Sequence, residues 1–524
     1  MNAVMEEEPE LAPPVAVAPR ADTLAASVVV LLVMTVAQRL IGFGRGVLFC
    51  RWLEPEQLGQ WDVAFGFLNL AASLAVLGLP GSFGRYVEHF RRRGHFHSFL
   101  RRTGLVNILM SLVAATIMIV ERNWFSQLIF GTDDDGHIVV WIAVCLAVII
   151  LHNYLTALFI AVRRYRIVTV LQFVQSLGFA VTSLVLLAAW PAGAVSVVAG
   201  YAAATVLSSL GSITWLRELA AGETSAVEPV PHAEFWAKLV PFAVWMWITN
   251  LLANLFEVID RYMIVHHSGM GTNEALRQVG FYHSSRIVPL LFVAVAGLLG
   301  SMITPHLSHD WELGRREAVV RRLNMVLKML LMSTYTASVG VLFVAPVLSE
   351  VAFQNKFQGG LVVLPWTLAY CTWFGTIAVS QNYLWCAERP GLNTLALLGG
   401  LVLNIGFNLL LLPRFGLEGA VWATSLANLA ALVLVYCFSR WHGMRVDVGT
   451  WILSLAPIAF CQGPWFSLGV LGAIAIATVS TDWILTRDEK RRVRESFTQI
   501  VEPLRRLAAR FVDSLAIVGP RWPD

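Results

Sequence analysis

Charge is what this sequence has least of. Only 14% of its 524 residues are Asp, Glu, Lys or Arg, against roughly 25% in soluble domains, while 57% are hydrophobic and the mean hydropathy is +0.66. Too little polar material remains to cover a water-soluble enzyme of this length, so the composition is that of a polytopic membrane protein. The six cysteines lie within or beside apolar runs, form no C-x-x-C pair and have no clustered histidines, which argues against a disulfide framework or a structural zinc site. No G-x-x-x-x-G-K-[ST] segment occurs, so no Walker-type ATP hydrolysis is expected on this chain. A net charge of +4 without one concentrated basic domain gives a nucleic-acid role no support. The first 22 residues carry Glu6, Glu7, Glu8 and Glu10 among prolines where a secretory signal would be basic, and are expected to form a disordered cytoplasmic tail.

What is present is a series of charge-free runs. A helix needs about 20 apolar residues to cross the hydrocarbon core, and runs of that order start near Val63, Thr103, Gly136, Leu239, Ile287, Met329, Phe357, Pro390 and Gly419. The run from Ile167 to Leu216 is broken by Trp190-Pro191-Ala192-Gly193, which predicts a helical hairpin; Val448 to Thr481 is broken in the same way at Gly463-Pro464. With a first helix beginning near Thr23, the expectation is an all-α protein with about fourteen transmembrane helices.

With a cytoplasmic N-terminus, 29 of the 38 Lys and Arg residues fall in inside segments, five in outside loops and four within spans, as retention of basic residues on the cytoplasmic side requires. The expected organisation is an N-terminal lobe of six helices (23–217), a cytoplasmic linker (218–238), a C-terminal lobe of six (239–440), a helix pair (448–486) and a basic amphipathic cytoplasmic tail (487–524). No outside loop is long enough to hold a catalytic domain, which argues against a membrane polymerase or ligase and against any catalytic residue.

Charges within a membrane are costly, so they face a bundle interior or a watery cavity. Four arginines, Arg39, Arg45, Arg261 and Arg286, stand there against three acids, Asp62, Glu257 and Asp260. That excess suits a polyanionic ligand such as a phosphate or pyrophosphate, which a guanidinium can grip with two bonds. Arg261 is expected to be partly neutralised by Glu257 or Asp260. Asn250, Asn254, Glu257 and Arg261 follow at i, i+4, i+7 and i+11, one stripe of a helix, and the amides join the candidate substrate-binding set. Glu257, Asp260 and Asp62 are the candidate ion-coupling carboxylates, with Glu257 first. Asn404 and Asn408 repeat as an uncharged stripe, read as interhelical glue. Trp245, Trp247, Trp373 and Trp385 are candidates to stack on sugars, against packing as the plainer role.

Several segments resemble the multidrug/oligosaccharidyl-lipid/polysaccharide (MOP) exporter superfamily, and within it the polysaccharide transporter (Wzx-type) flippases. Arg51 to Gly59 is similar to A-R-x-L-G-P-E-x-[FY]-G; Asp260-Arg261 resembles I-D-[RK]; Val279-Gly280-Phe281-Tyr282 with Pro305 to Ser308 resembles V-G-x-Y…P-x-L-S; Leu412 to Ala420 resembles L-[IV]-P-x-[YF]-G-[IL]-x-G-A. The resemblance implies two six-helix lobes around a central cavity in a bacterial cytoplasmic membrane. It also implies ATP-independent inversion of a polyprenyl-pyrophosphate-linked glycan, driven by an ion gradient. Its partners would be membrane lipids, that glycan and polysaccharide assembly proteins, and no cofactor is implied beyond a coupling proton or sodium ion. Arg39 to Arg45 is also similar to the first-helix S-R-x-x-G-x-x-R of the lipid II flippase branch, the alternative; the E-G-A-F-[ST] segment of that branch is absent. A drug/cation antiporter of the same superfamily is disfavoured, because its cavity would be expected to be net acidic.

Overall fold

The computed structural model describes residues 24–221, 231–492 and 494–495. The acidic N-terminal tail, the middle of the expected linker and most of the basic C-terminal tail lie outside the described residues. Among the described residues there is no strand, as expected where backbone groups within a bilayer must bond inside their own segment.

The first group of helices is α1 (Leu24–Trp52), α2 (Pro55–Ala75), α3 (Phe83–Arg92), α4 (Phe96–Val120), α5 (Arg122–Phe130), α6 (Gly136–Ala161), α7 (Tyr165–Ala189) and α8 (Ala194–Ala221). The second is α9 (His232–His267), α10 (Thr272–Arg286), α11 (Pro289–Glu312), α12 (Arg316–Val351), α13 (Gln358–Ser380), α14 (Asn382–Cys386) and α15 (Pro390–Trp441). The break between Ala189 and Ala194 falls where the sequence puts the hairpin, and a further one lies ahead of Pro289, where α10 gives way to α11. Proline lacks the N–H that would continue the preceding turn and fits instead at the start of the next helix.

Among the described residues ten helices are long and apolar enough to cross a membrane, or eleven when α2 and the bent segment after it count as one span. One of the ten is α15, whose 52 residues would rise about 78 Å, far beyond a hydrocarbon core of about 30 Å. Gly416, at φ 57° and ψ −136°, breaks it into two helices, and twelve crossings result. The expected fourteen are not confirmed among the described residues. The last pair, α16 (Val448–Leu455) and α17 (Pro464–Ser480), has only 8 and 17 residues. Seventeen residues span about 26 Å, less than the core.

Helices α1 to α8 pack on one another, as do α9 to α15, and the two groups meet chiefly along α2, which lies against α9 and α10. At one end the backbones of α2 and α10 touch. A Cβ on Gly59 would sit 1.8 Å from the carbonyl oxygen of Leu276, and one on Gly280 would sit 1.9 Å from that of Pro55; only glycine permits such an approach. At the other end the turn before α3 and α3 itself cover α9. Gly78 adopts φ 72° and lies under Ala243 and Trp247, while Phe90 packs on Phe235 at 4.9 Å and Tyr86 on Phe242 at 5.8 Å between ring centres. The short pair α16 and α17 is bolted to the second group by buried polar bonds. Trp373 Nε1 donates to the Ser454 carbonyl at 2.7 Å, and Lys328, only 1% exposed, donates to Asp447 at 2.8 Å and to Glu489 at 3.0 Å.

Candidate functional site

Between the two groups lies a cavity of about 530 Å³. Helix α1 contributes Arg39 and Arg45, α2 contributes Asp62 and Asn69, α7 contributes Gln172 and Gln175, α9 contributes Glu257 and Arg261, and α10 contributes His283 and Arg286. All four intramembrane arginines thus meet in one space, against two carboxylates.

The charges within it are not evenly paired. Asp62 is the hub: the Arg286 Nη2 donates to its Oδ2 at 2.5 Å, the Arg261 Nε lies 2.9 Å from the same oxygen, and His283 Nδ1 is 2.8 Å from Oδ1. Asp62, Arg261 and Arg286 are all at most 5% exposed, a burial that charges tolerate only when paired. Gly66 provides the room: a Cβ there would stand 3.0 Å from the Arg261 guanidinium. Arg45 has no carboxylate partner among the described residues; its guanidinium lies over the Phe179 ring at 4.1 Å, a cation–π contact that orients the charge without cancelling it. Arg39 is exposed to the space, as is Glu257. Four guanidiniums with two carboxylates leave two positive charges in excess, and Asp62 alone faces two arginines.

Three sequence expectations change here. Arg261 is paired with Asp62, on the opposite group of helices, and not with Glu257 or Asp260. Asn250 and Asn254 do not line the cavity; both donate to Ser73 Oγ at 3.2 Å and stitch α9 to α2. The i, i+4, i+7, i+11 stripe is therefore split along its length, its lower half used for packing and its upper half for the cavity. Asp260 is also absent from the cavity wall. It is buried at 3% exposure, where Oδ1 accepts from Asn404 at 2.8 Å and Asn408 at 3.2 Å, and Asn404 also donates to Thr424 Oγ1 at 3.3 Å. The amides read as glue thus surround a carboxylate. Sequence separation of more than 140 residues hid this meeting; the signal was the Asn404/Asn408 repeat facing an unbalanced acid.

None of the sugar-stacking candidates with a described side chain lines this cavity. Trp373 is 1% exposed with its indole bonded to Ser454, Trp247 packs on Gly78, and Trp385 lies elsewhere; Trp245's side chain is outside the described set. The cavity's aromatics are Phe43, Phe49, Trp61, Phe65 and Phe179.

The sequence matches the polysaccharide biosynthesis protein family over residues 24–311, more than half of the chain. The chain belongs to that family. No curated protein matches it. Among solved structures, the fold is similar to that of the lipid II flippase MurJ in an inward closed conformation, at 12% identity and TM-score 0.64, covering 86% of this chain and 98% of that one. It is also similar to an inward-facing multidrug resistance MATE family transporter of the MOP superfamily, at 14% identity and TM-score 0.60, covering 79% and 97%. A third similar structure is a MOP superfamily transporter from Pyrococcus furiosus described as having a binding pocket of reverse polarity, at 12% identity and TM-score 0.51, covering 79% and 95%. The family member described here is thus a multi-pass membrane protein with the MOP transporter fold.

Proposed function

We propose that this polysaccharide biosynthesis protein is a flippase that inverts a polyprenyl-pyrophosphate-linked oligosaccharide across the bacterial cytoplasmic membrane by alternating access of the central cavity. The observation that carries the reading is the cavity's charge: four guanidiniums converge on one space with two carboxylates, and Arg39 and Arg45 are left to a ligand. A diphosphate supplies the missing anion, and guanidinium forks hold its oxygens. The arginine-rich segments around Arg91, Arg163 and Arg315 support a cytoplasmic location for the α3 end of the molecule.

Energy coupling fits Asp260 best. It is buried among two amides and the hydroxyls of Thr424 and Tyr282, the latter donating to Oδ2 at 3.4 Å, and the amides can turn their oxygens toward a cation, giving the oxygen donor set that a hard ion such as sodium takes. Glu257 and Asp62 face the cavity instead, where a titrating proton would meet the arginines first.

Arg45→Ala tests the reading. Transport should fall about tenfold or more, the worth of one charge-assisted contact, with unchanged thermal stability; wild-type transport at normal abundance would sink it. Depletion in the host followed by mass spectrometry of lipid-linked intermediates, with leaflet assigned by an impermeant probe, identifies the cargo. A trapped polysaccharide repeat unit supports this reading. Trapped lipid II supports the second one, which the presence of both first-helix arginines in the cavity favours.

A further inference from the structure

A second cavity, of about 380 Å³, adjoins the first. Phe43 on α1 lines both, two residues from Arg45 and four from Arg39. Beyond Phe43 the chemistry reverses. The wall is built from Val288 on the α10–α11 junction, Val344 and Phe353 at the far half of α12 and its exit, and Leu364 on α13. Two of the three serines that line it spend their hydroxyls on helix carbonyls, Ser284 donating to Phe281 and Ser285 to Tyr282, each at 2.8 Å, and the Ser349 hydroxyl is the one polar group left over. No charged residue lines it. Val344 is 59% exposed, so the cavity opens sideways where α12 meets its surroundings. The volume lies within the range of small-molecule sites and suits a short stretch of hydrocarbon, not a whole polyprenyl chain.

We propose that this apolar cavity holds the first isoprene units of the substrate's tail while the anionic head lies among Arg39, Arg45, Arg261 and Arg286. The inference rests on the flippase reading above and adds a place for the tail. A cationic space and an apolar space separated by one phenylalanine match an amphiphile whose charge and hydrocarbon are joined by one bond. The apolar contact contributes affinity in proportion to the hydrocarbon surface it removes from water, and the sideways opening lets the remaining units stay in lipid. A membrane phospholipid's acyl chain is the competing occupant.

Gly340 allows a direct test. It lines the cavity, and a Cβ there would meet nothing within 4 Å, so Gly340→Leu fills the space without touching the arginines and replaces a poor helix former by a good one. The purified full-length chain is titrated with geranylgeranyl diphosphate, with inorganic pyrophosphate and with phosphatidylglycerol. The wild type should bind the prenyl diphosphate more tightly than pyrophosphate. Gly340→Leu should weaken the prenyl diphosphate by about tenfold or more and leave pyrophosphate unchanged, whereas Arg45→Ala weakens both. A diazirine on the second isoprene should label residues 337–349. Unchanged prenyl diphosphate affinity in Gly340→Leu, labelling only elsewhere, or a cavity that Gly340→Leu closes to phosphatidylglycerol alone overturns the tail site. Loss of pyrophosphate binding in the wild type would instead overturn the headgroup reading beneath it.

Discussion

The seam between the two helix groups is closed at both ends by different means. Where α2 crosses α10, Gly59 and Gly280 bring two helical backbones into direct contact, and neither can slide without driving a carbonyl into its neighbour. Where α3 covers α9, closure rests mostly on rings and side-chain ends, Phe90 on Phe235 and Tyr86 on Phe242, with Lys238 Nζ 2.7 Å from His89 Nε2, and on one backbone approach, where a Cβ on Gly78 would stand 2.3 Å from the Ala243 carbonyl oxygen. A backbone contact is either made or lost, whereas a layer of rings can be repacked. The α3 end is therefore the one expected to open with least disturbance, and the α2–α10 end the one that must part completely.

The largest expected effect comes from the charge hub that pins the seam between these ends. Asp62→Asn leaves Arg261 and Arg286 buried without their anion, a loss of about 3–5 kcal/mol, seen as a large drop in the thermal midpoint of the purified protein. An unchanged midpoint would show that the two arginines do not depend on Asp62. Gly280→Ala comes next, at about 1–3 kcal/mol for the forced overpacking. It should abolish cross-linking between cysteines introduced at Glu54 and Lys356, whose side chains lie 2.8 Å apart, while cysteines at His89 and Lys238 still cross-link. Loss of both cross-links would mean that the ends are coupled rigidly. Phe235→Leu keeps the volume nearly constant and should cost about 1 kcal/mol, with only the second cross-link weakened. The smallest effect belongs to Lys356→Met. Its ion pair with Glu54 is exposed, at 26% and 63% for the two side chains, so the expected loss is below about 1 kcal/mol; a larger loss would make this pair part of the closure.

The sequence was informative where a single run of residues decides the outcome. The apolar run and its Pro191 placed the α7–α8 hairpin, because span length and a missing N–H are local constraints. The last pair was harder to read for the same reason: an apolar stretch does not say where its α-helix tightens, and α16 passes after 8 residues into the 3-10 helix Ala456–Gln462. Within the site, the four arginines could be picked out because intramembrane charge is rare. Their pairing could not. Arg261 shares its helix with Glu257 and Asp260, yet binds Asp62 from the opposite group, since three-dimensional approach and not helical spacing chose the partner. Asn250 and Asn254 fall outside the cavity lining because a stripe gives direction around a helix but not depth along the seam, and at their depth the facing residue is Ser73.

The two uncompensated positive charges of the cavity have a consequence for direction. On the flippase reading proposed above, with the arginine-rich loops inside, an empty carrier would lie in the field of a negative cytoplasm, where each charge that crosses is worth up to about 2.3 kcal/mol per 100 mV. A diphosphate head would cancel those charges, so that the loaded carrier would cross almost without feeling the voltage. The empty one would be drawn back toward the cytoplasm. The membrane potential would then act on the return stroke, and the resting voltage would serve as a ratchet without any nucleotide being consumed.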